Sequence, residues 1–189
     1  EGISQQTIDR ACAFAGQIGK LPLPVQDTPG FLVNAVLAPY MLEAMHCIDE
    51  GIAPEIIDTA MLKFGMPMGP IELADTVGLD IALAAGTQLS GDKPVPKCIA
   101  ALVGQKKLGI KTGEGFYNWK NRKHGIRSDK PVPDGLAQRL ISPLIEQAKR
   151  QTQKGITEDA DLTDAGIIFG TGFAPFRGGP LHYSNTKLE

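Results

Sequence analysis

One unit of helix, turn and helix occurs twice in this chain, and that repetition limits the possible fold more than any single residue does. Val36-Leu37-Ala38-Pro39-Tyr40-Met41-Leu42-Glu43-Ala44 aligns without gaps on Leu140-Ile141-Ser142-Pro143-Leu144-Ile145-Glu146-Gln147-Ala148, 104 residues later. Gly51-Ile52 keeps the same offset to Gly155-Ile156. After a small insertion, Asp58-Thr59-Ala60 matches Asp164-Ala165-Gly166, and Pro67 faces Pro175. Two copies of one unit expose the same apolar face, so they are expected to pack on each other as the halves of a dimer would. The segment Lys120 to Gly135, rich in charge, glycine and proline, marks the boundary. It divides the chain into a first copy at 1–125 and a second, truncated copy at 126–189.

The local signals are helical throughout. Ser4 suits an N-cap, and Ile8, Ala11, Cys12, Ala15 and Ile18 fall at helical spacing, so an amphipathic helix is expected to close near Gly19. Leu21 to Val25, with alternating prolines, must be extended. A long helix is expected from about Pro29 to Glu50, ended by Gly51, and Ala53-Pro54 opens another through Met61. Gly65-Met66-Pro67-Met68-Gly69-Pro70 forces an irregular loop, after which Ile71 to Thr76 and Asp80 to Leu89 read as short helices parted by Gly78. Ile99 to Val103 adds another, and only Gly115 to Trp119 suggests an extended piece. Asp92-Lys93-Pro94-Val95-Pro96 recurs as Asp129-Lys130-Pro131-Val132-Pro133, two extended leads into helices.

Composition removes several functional classes. The 189 residues carry 19 Lys and Arg against 21 Asp and Glu, a net charge of −2, which gives no electrostatic reason to expect nucleic acid or an anionic membrane. The longest apolar run, Gly30 to Leu42, is 13 residues, short of the roughly 20 that span a bilayer. Cys12, Cys47 and Cys98 are odd in number and form no Cys-x-x-Cys pair, which argues against a disulfide framework or a structural zinc and favours a reducing cytoplasm. The first residue is Glu1, no leader opens the chain, and Leu188-Glu189 resembles a vector scar, so a piece of a longer protein is expected.

Within the long helix, Asp27-Thr28-Pro29-Gly30-Phe31-Leu32-Val33-Asn34 places one amide among apolar residues. Asp27 or Thr28 is expected to cap the helix, with Pro29 in its first turn. Asn34 would then lie on a buried face, with Gly30, Phe31, Leu37 and Ala38 as its helical neighbours. Such an amide has two outlets: a carbonyl of its own fold, such as the one freed by Pro39, or a ligand.

Other chemistry is thin. Gly113-Glu114-Gly115 and Gly170-Thr171-Gly172 lack the third glycine of a dinucleotide fingerprint, Asn118 and Pro175 standing there, and neither falls in a strand-to-helix turn. Among His46, His124 and His182, only His46 has a carboxylate at helical distance, Glu43, read as a surface pair. No Gly-x-Ser-x-Gly or His-Glu-x-x-His appears, so hydrolase and metal chemistry have no support. Lys106, Lys107, Lys111, Lys120, Arg122 and Lys123 read as a solvated loop, and Trp119 with Phe116 and Tyr117 as a packing anchor.

Taken in order, the Asp27 to Asn34 motif, Pro67-Met68-Gly69-Pro70 with Asp75-Thr76-Val77-Gly78-Leu79-Asp80, and Leu108-Gly109-Ile110-Lys111-Thr112-Gly113-Glu114-Gly115-Phe116-Tyr117 resemble the C-terminal domain of L-3-hydroxyacyl-CoA dehydrogenases. The second copy, with Gly170-Thr171-Gly172-Phe173-Ala174-Pro175-Phe176-Arg177-Gly178-Gly179, is similar to the extra C-terminal repeat of the multifunctional fatty acid oxidation α subunits, which fuse an enoyl-CoA hydratase to this dehydrogenase. The fold so implied is all-α: two tandem copies of that helical domain, of the 6-phosphogluconate dehydrogenase C-terminal type, packed as a pseudo-dimer.

The resemblance implies oxidation of a 3-hydroxyacyl-CoA by NAD, with a His held by a Glu as base. Both of those residues and the NAD pocket belong to a preceding Rossmann domain, so no cofactor is expected on these residues and the isolated chain is expected to be inactive. It implies acyl-CoA as substrate, the Rossmann domain as partner and a thiolase β subunit as a further one; self-association of the isolated chain is a further expectation. The family's active-site Asn falls on Asn34, a neutral donor and acceptor that would position the acyl end rather than transfer a proton. Met68, Gly69 and Pro70 are expected to shape the acyl end of the pocket. Two departures stand out. Ala35 occupies the place of a common Arg, and Phe169 the place of a substrate-facing Tyr, so Phe169 is expected to pack against substrate without a hydroxyl. A helical interaction module, or the C-terminal domain of another hydroxy-acid dehydrogenase, are the competing readings.

Overall fold

The computed structural model describes residues 2–89, 94–120 and 127–186. Among them the regular structure is helical, with only isolated bridges pairing Gly109 with Glu114 and Glu114 with Asn118 where an extended piece was expected. Asp92, Lys93, Arg122, Lys123, His124, Leu188 and Leu-adjacent Glu189 lie outside the described residues, as do 121–126 of the expected boundary.

Helix α1, Gln5–Gln17, starts where Ser4 accepts a hydrogen bond from the Thr7 N–H. It buries none of its residues, and Phe14 and Ile18 lie exposed on it and at its end. Its amphipathic pattern is real, but that face is not used on this body. Helix α2, Val33–Asp49, is the opposite case, with nine buried residues from Ala35 to Cys47, and it ends before Gly51 at φ 98°. Pro54 opens α3, Pro54–Phe64, and Pro70 opens α4, Pro70–Val77, each in the first turn, where the missing N–H costs nothing. After Gly78 come α5, Leu79–Leu89, and α6, Lys97–Gly104; then α7, Leu136–Gln153, α8, Ala160–Thr171, and α9, Pro180–Thr186.

The core forms where α2 lies along α7, with Tyr40, Ile57, Met61, Leu140, Ile141, Leu144, Ile167 and Phe173 fully buried. Contacts across it are reciprocal: α3 touches α7 while α8 touches α2, and α4 packs on α2 as α9 packs on α7. At its edge the Arg139 guanidinium on α7 donates to Glu43 at 2.7 Å and to both oxygens of Glu50 at 2.6 and 2.7 Å. Glu43 is therefore engaged by Arg139, where the sequence suggested a surface pair with His46.

Two buried carboxylates fasten the shorter helices. Asp58 on α3 accepts the Ile71 and Glu72 N–H groups at the start of α4, at 2.8 and 2.9 Å, and the Tyr117 hydroxyl at 2.8 Å. Asp164 on α8 accepts the Leu181 and His182 N–H groups at the start of α9, at 2.8 and 2.9 Å. Each pair of amides is an orphan pair of a helix N-terminus, which an anion satisfies well. The glycine before each proline is required: a Cβ on Gly69 would fall 2.2 Å from the Asp58 Cγ, and one on Gly179 2.4 Å from the Asp164 Cγ. This geometry matches Gly69-Pro70 to Gly179-Pro180. It replaces the expected pairing of Pro67 with Pro175, because the register follows the carboxylate, and Pro175 instead begins a single turn at Pro175–Arg177.

Candidate functional site

The start of α2 is where the structure departs most from expectation. Neither Asp27 nor Thr28 caps the helix; it begins at Val33, behind Leu32, with no side-chain cap. The cause is a double left-handed turn, with Gly30 at φ 76° and Phe31 at φ 48°. The Phe31 N–H donates to the Thr28 carbonyl at 2.9 Å, and the Gly30 carbonyl accepts from Asn34 at 3.1 Å and Ala35 at 3.3 Å. Gly30 is held to glycine, since a Cβ there would meet the Leu89 Cδ1 at 2.9 Å and the Ala35 nitrogen at 3.0 Å. Phe31 has no such exemption; a side-chain-bearing residue in this region costs about 1–2 kcal/mol.

That turn rotates Asn34 off the core. The sequence placed it on a buried face, whereas its side chain is exposed and makes no hydrogen bond among the described residues. It does not bond the carbonyl freed by Pro39. It lines a cleft of about 700 Å³ whose walls are the Gly19 to Val25 segment, the Gly30 to Asn34 turn, and Leu162, Ala165, Gly166, Phe169 and Gly170 of α8. Asn34 and Phe169, 135 residues apart in sequence, thus share one cleft.

Two glycines let the cleft form. A Cβ on Gly166 would sit 2.4 Å from the Leu23 Cδ2, and one on Gly170 2.4 Å from the Val33 Cγ2, so α8 comes against the Gly19 to Val25 segment and the start of α2 through bare backbone. The Gln26 N–H donates to the Ile156 carbonyl at 3.0 Å and anchors the far end of that segment. Phe169 is left 73% exposed, Phe31 54% exposed and Leu21 74% exposed. The walls are mostly apolar, with the Asn34 amide and Lys20 as their side chains of hydrogen-bonding capacity. Such a surface suits an apolar chain carrying a carbonyl or hydroxyl.

Met68, Gly69 and Pro70 do not line this cleft. Gly69 and Pro70 are buried at the start of α4 against Asp58, so their work is to seat that helix. Ala35, at the place of the family's Arg, is 3% exposed and borders a smaller polar cleft of about 240 Å³ with Thr28, Gln88, Gln147, Gln151 and Lys154.

The glycine pairs have structural uses as well. Asp75 accepts the Phe116 N–H at 3.0 Å, the Tyr117 N–H at 2.9 Å and the Trp119 indole N–H at 2.8 Å, and a Cβ on Gly115 would fall 2.1 Å from its Oδ1. Gly172 ends α8 at φ 72°. Neither pair opens a helix, so neither fits a dinucleotide pyrophosphate. Lys107 pairs with Glu114 and Lys111 with Asp80 at the surface. Sequence reasoning named Asp58 and Asp164 as repeat positions and Asp75 within a motif but gave none of them a role. Burial pushes the Asp58 carboxyl up to about 7 despite its three donors, and also raises Asp75 and Asp164.

The segment from the Gly30 turn to Trp119, the last donor to Asp75, coincides with a known sequence unit: residues 30–119 match the model described as 3-hydroxyacyl-CoA dehydrogenase, C-terminal domain. The chain is similar to curated proteins along nearly all of its length. It is 38% identical over 201 residues to the fatty acid oxidation complex subunit alpha of Shewanella putrefaciens, covering 97% of this chain. It is 37% identical over 202 residues to the protein of the same name from Vibrio vulnificus. The chain spans 28% of the length of these relatives. Among solved structures, (S)-3-hydroxybutyryl-CoA dehydrogenase PaaH1 from Ralstonia eutropha is 34% identical, with a TM-score of 0.57 over 62% of this chain and 44% of that one. The 3-hydroxybutyryl-CoA dehydrogenase of Escherichia coli, 21% identical, shares the fold with a TM-score of 0.79 over 97% of this chain and 58% of that one. Among the described residues, no helix is long and apolar enough to cross a membrane.

Proposed function

We propose that this chain is the substrate-side helical part of an NAD-dependent 3-hydroxyacyl-CoA dehydrogenase of fatty acid β-oxidation, oxidising 3-hydroxyacyl-CoA to 3-oxoacyl-CoA in the cytoplasm. The observation that carries this reading is the shared cleft, which joins an unpartnered Asn34 amide to apolar walls ending in Phe169. The family resemblance assigns the cofactor and the His–Glu base to a separate nucleotide-binding domain. When bound there, NAD takes up the hydride. The part left to this chain is positioning: the Asn34 amide meets the oxygen at C3 or the thioester carbonyl, and the walls exclude water from the acyl chain.

Several exposed features support docking of such a domain. Ile3, Phe14, Ile18 and Leu21 are exposed apolar side chains on and beside α1, and residues 21–24 carry no regular secondary structure. The reciprocal packing of α2 with α7, and the two carboxylate-held helix starts, support reading the chain as two copies of one unit arranged as a pseudo-dimer. The name of the relatives, a complex subunit, supports a second subunit in the assembly, with a thiolase β subunit as the expected kind.

The test is NADH formation from 3-hydroxyacyl-CoA. The isolated chain forms none; joined to its nucleotide-binding domain it turns over, and changes at Asn34 and Phe169 weaken acyl-CoA use. Full turnover in an Asn34→Ala, Phe169→Ala double variant would assign the helices to subunit association alone.

A further inference from the structure

Phe31 combines two unfavourable properties. Its backbone sits at φ 48°, in the left-handed region that a glycine would occupy without strain, and its ring is 54% exposed on the cleft wall. Strain of this kind persists when surrounding structure compensates for it, and here the ring gains little burial in return. A glycine would satisfy the same turn, since only the Phe31 N–H, donating to Thr28, holds it. The fold therefore gives no account of a phenyl group at this position. The cleft does: the ring lines the same cavity as Asn34, three residues on in sequence, with Phe169 in the wall contributed by α8. Neither phenyl stacks on another aromatic ring among the described residues.

We infer that Phe31 is a substrate-positioning residue, an apolar jaw held by a strained turn against the acyl carbons next to the reacting oxygen, so that this oxygen meets the Asn34 amide. This rests on the acyl-thioester reading of the cleft. Because Phe31 and Asn34 come from one turn and line one cleft, Phe31 acts at the reactive end, and its contribution is the same for short and long chains and falls on kcat rather than KM.

The experiment uses the enzyme formed by this chain with its nucleotide-binding domain. Phe31→Gly removes ring and strain together, Phe31→Ala removes the ring alone, and Phe31→Leu keeps an apolar side chain. NADH formation is followed with four-carbon and sixteen-carbon 3-hydroxyacyl-CoA. Losing the burial of one phenyl ring lowers kcat/KM by roughly tenfold to a hundredfold in the Gly and Ala variants at both lengths, mainly through kcat. Phe31→Leu stays within about fivefold of the parent. The Gly variant melts no lower than the parent, which separates a lost contact from a damaged fold. In ring-labelled protein, the Phe31 signal shifts when acetoacetyl-CoA is added. Retention of kcat/KM within about twofold by Phe31→Gly overturns the inference. So does a ring signal that moves on joining the two domains and is indifferent to the thioester, since the neighbouring domain then covers it. A parent enzyme inactive on every thioester refutes the dehydrogenase reading instead, and the ring signal alone then decides whether Phe31 meets an acyl thioester.

Discussion

The helical body and the α2 start use polar and apolar groups in opposite ways. In the body, carboxylates are buried and fully engaged: Asp58, Asp75 and Asp164 collect backbone N–H groups, a hydroxyl and an indole N–H. At the cleft an amide is exposed and unengaged, and two phenyl rings stand largely in solvent. Groups already satisfied inside the fold hold the fold; groups left unsatisfied beside a cavity are free to meet something else. Changes in the first region should cost stability, and changes in the second should cost turnover with the fold intact.

The severest test of that division is Gly69→Ala, whose new methyl has no room against the Asp58 carboxyl. It should destabilise by about 3 kcal/mol or more in chemical denaturation, since both backbone and carboxylate must shift. Asp58→Asn keeps the shape but replaces an acceptor oxygen by a donor facing N–H or O–H groups, and should cost roughly 2–3 kcal/mol in the same measurement. The body should also show a characteristic pH response. Because burial raises Asp58 from 3.8 to about 7, the folded state holds that proton more tightly than the unfolded chain, so this group's contribution to stability is full below about pH 4 and declines as pH rises through 7. Asp75 and Asp164, raised by the same cause, act in the same direction. The exposed carboxylates Asp49, Glu50 and Asp80, held low, oppose this only in more acidic solution. Urea midpoints should therefore climb from pH 8 to pH 5, and the slope should shrink in Asp58→Asn. Smallest of all is Arg139→Met: its partners are partly exposed, so the loss should stay near 1 kcal/mol or below, read as a melting shift that salt diminishes.

Legibility in the sequence followed the same line. Helix starts at Ser4 and Pro54 and the stops at Gly51 and Gly78 were readable because capping and proline or glycine geometry are local, whereas Pro70 was read as loop and opens a helix. The start of α2 was not, because a phenylalanine at positive φ contradicts its own propensity and the Leu89 side chain that packs on Gly30 is remote in sequence. The same turn moved Asn34 from an expected buried face to the cleft. The meeting of Asn34 with Phe169 was not readable from spacing, since it depends on close approach at Gly166 and Gly170; the family resemblance alone suggested both residues. Nor did the sequence distinguish the Pro67 to Pro70 loop as a helix seat from a pocket wall, since that depends on Asp58, nine residues before Pro67.

Turnover of Asn34→Ala in the joined enzyme probes the central claim most directly. The Asn34 side chain makes no hydrogen bond among the described residues, so its loss should leave the melting temperature nearly unchanged while kcat for 3-hydroxyacyl-CoA oxidation drops about a hundredfold. Undiminished kcat in a folded variant would contradict the assignment of the cleft as the place where the acyl end is held for hydride transfer.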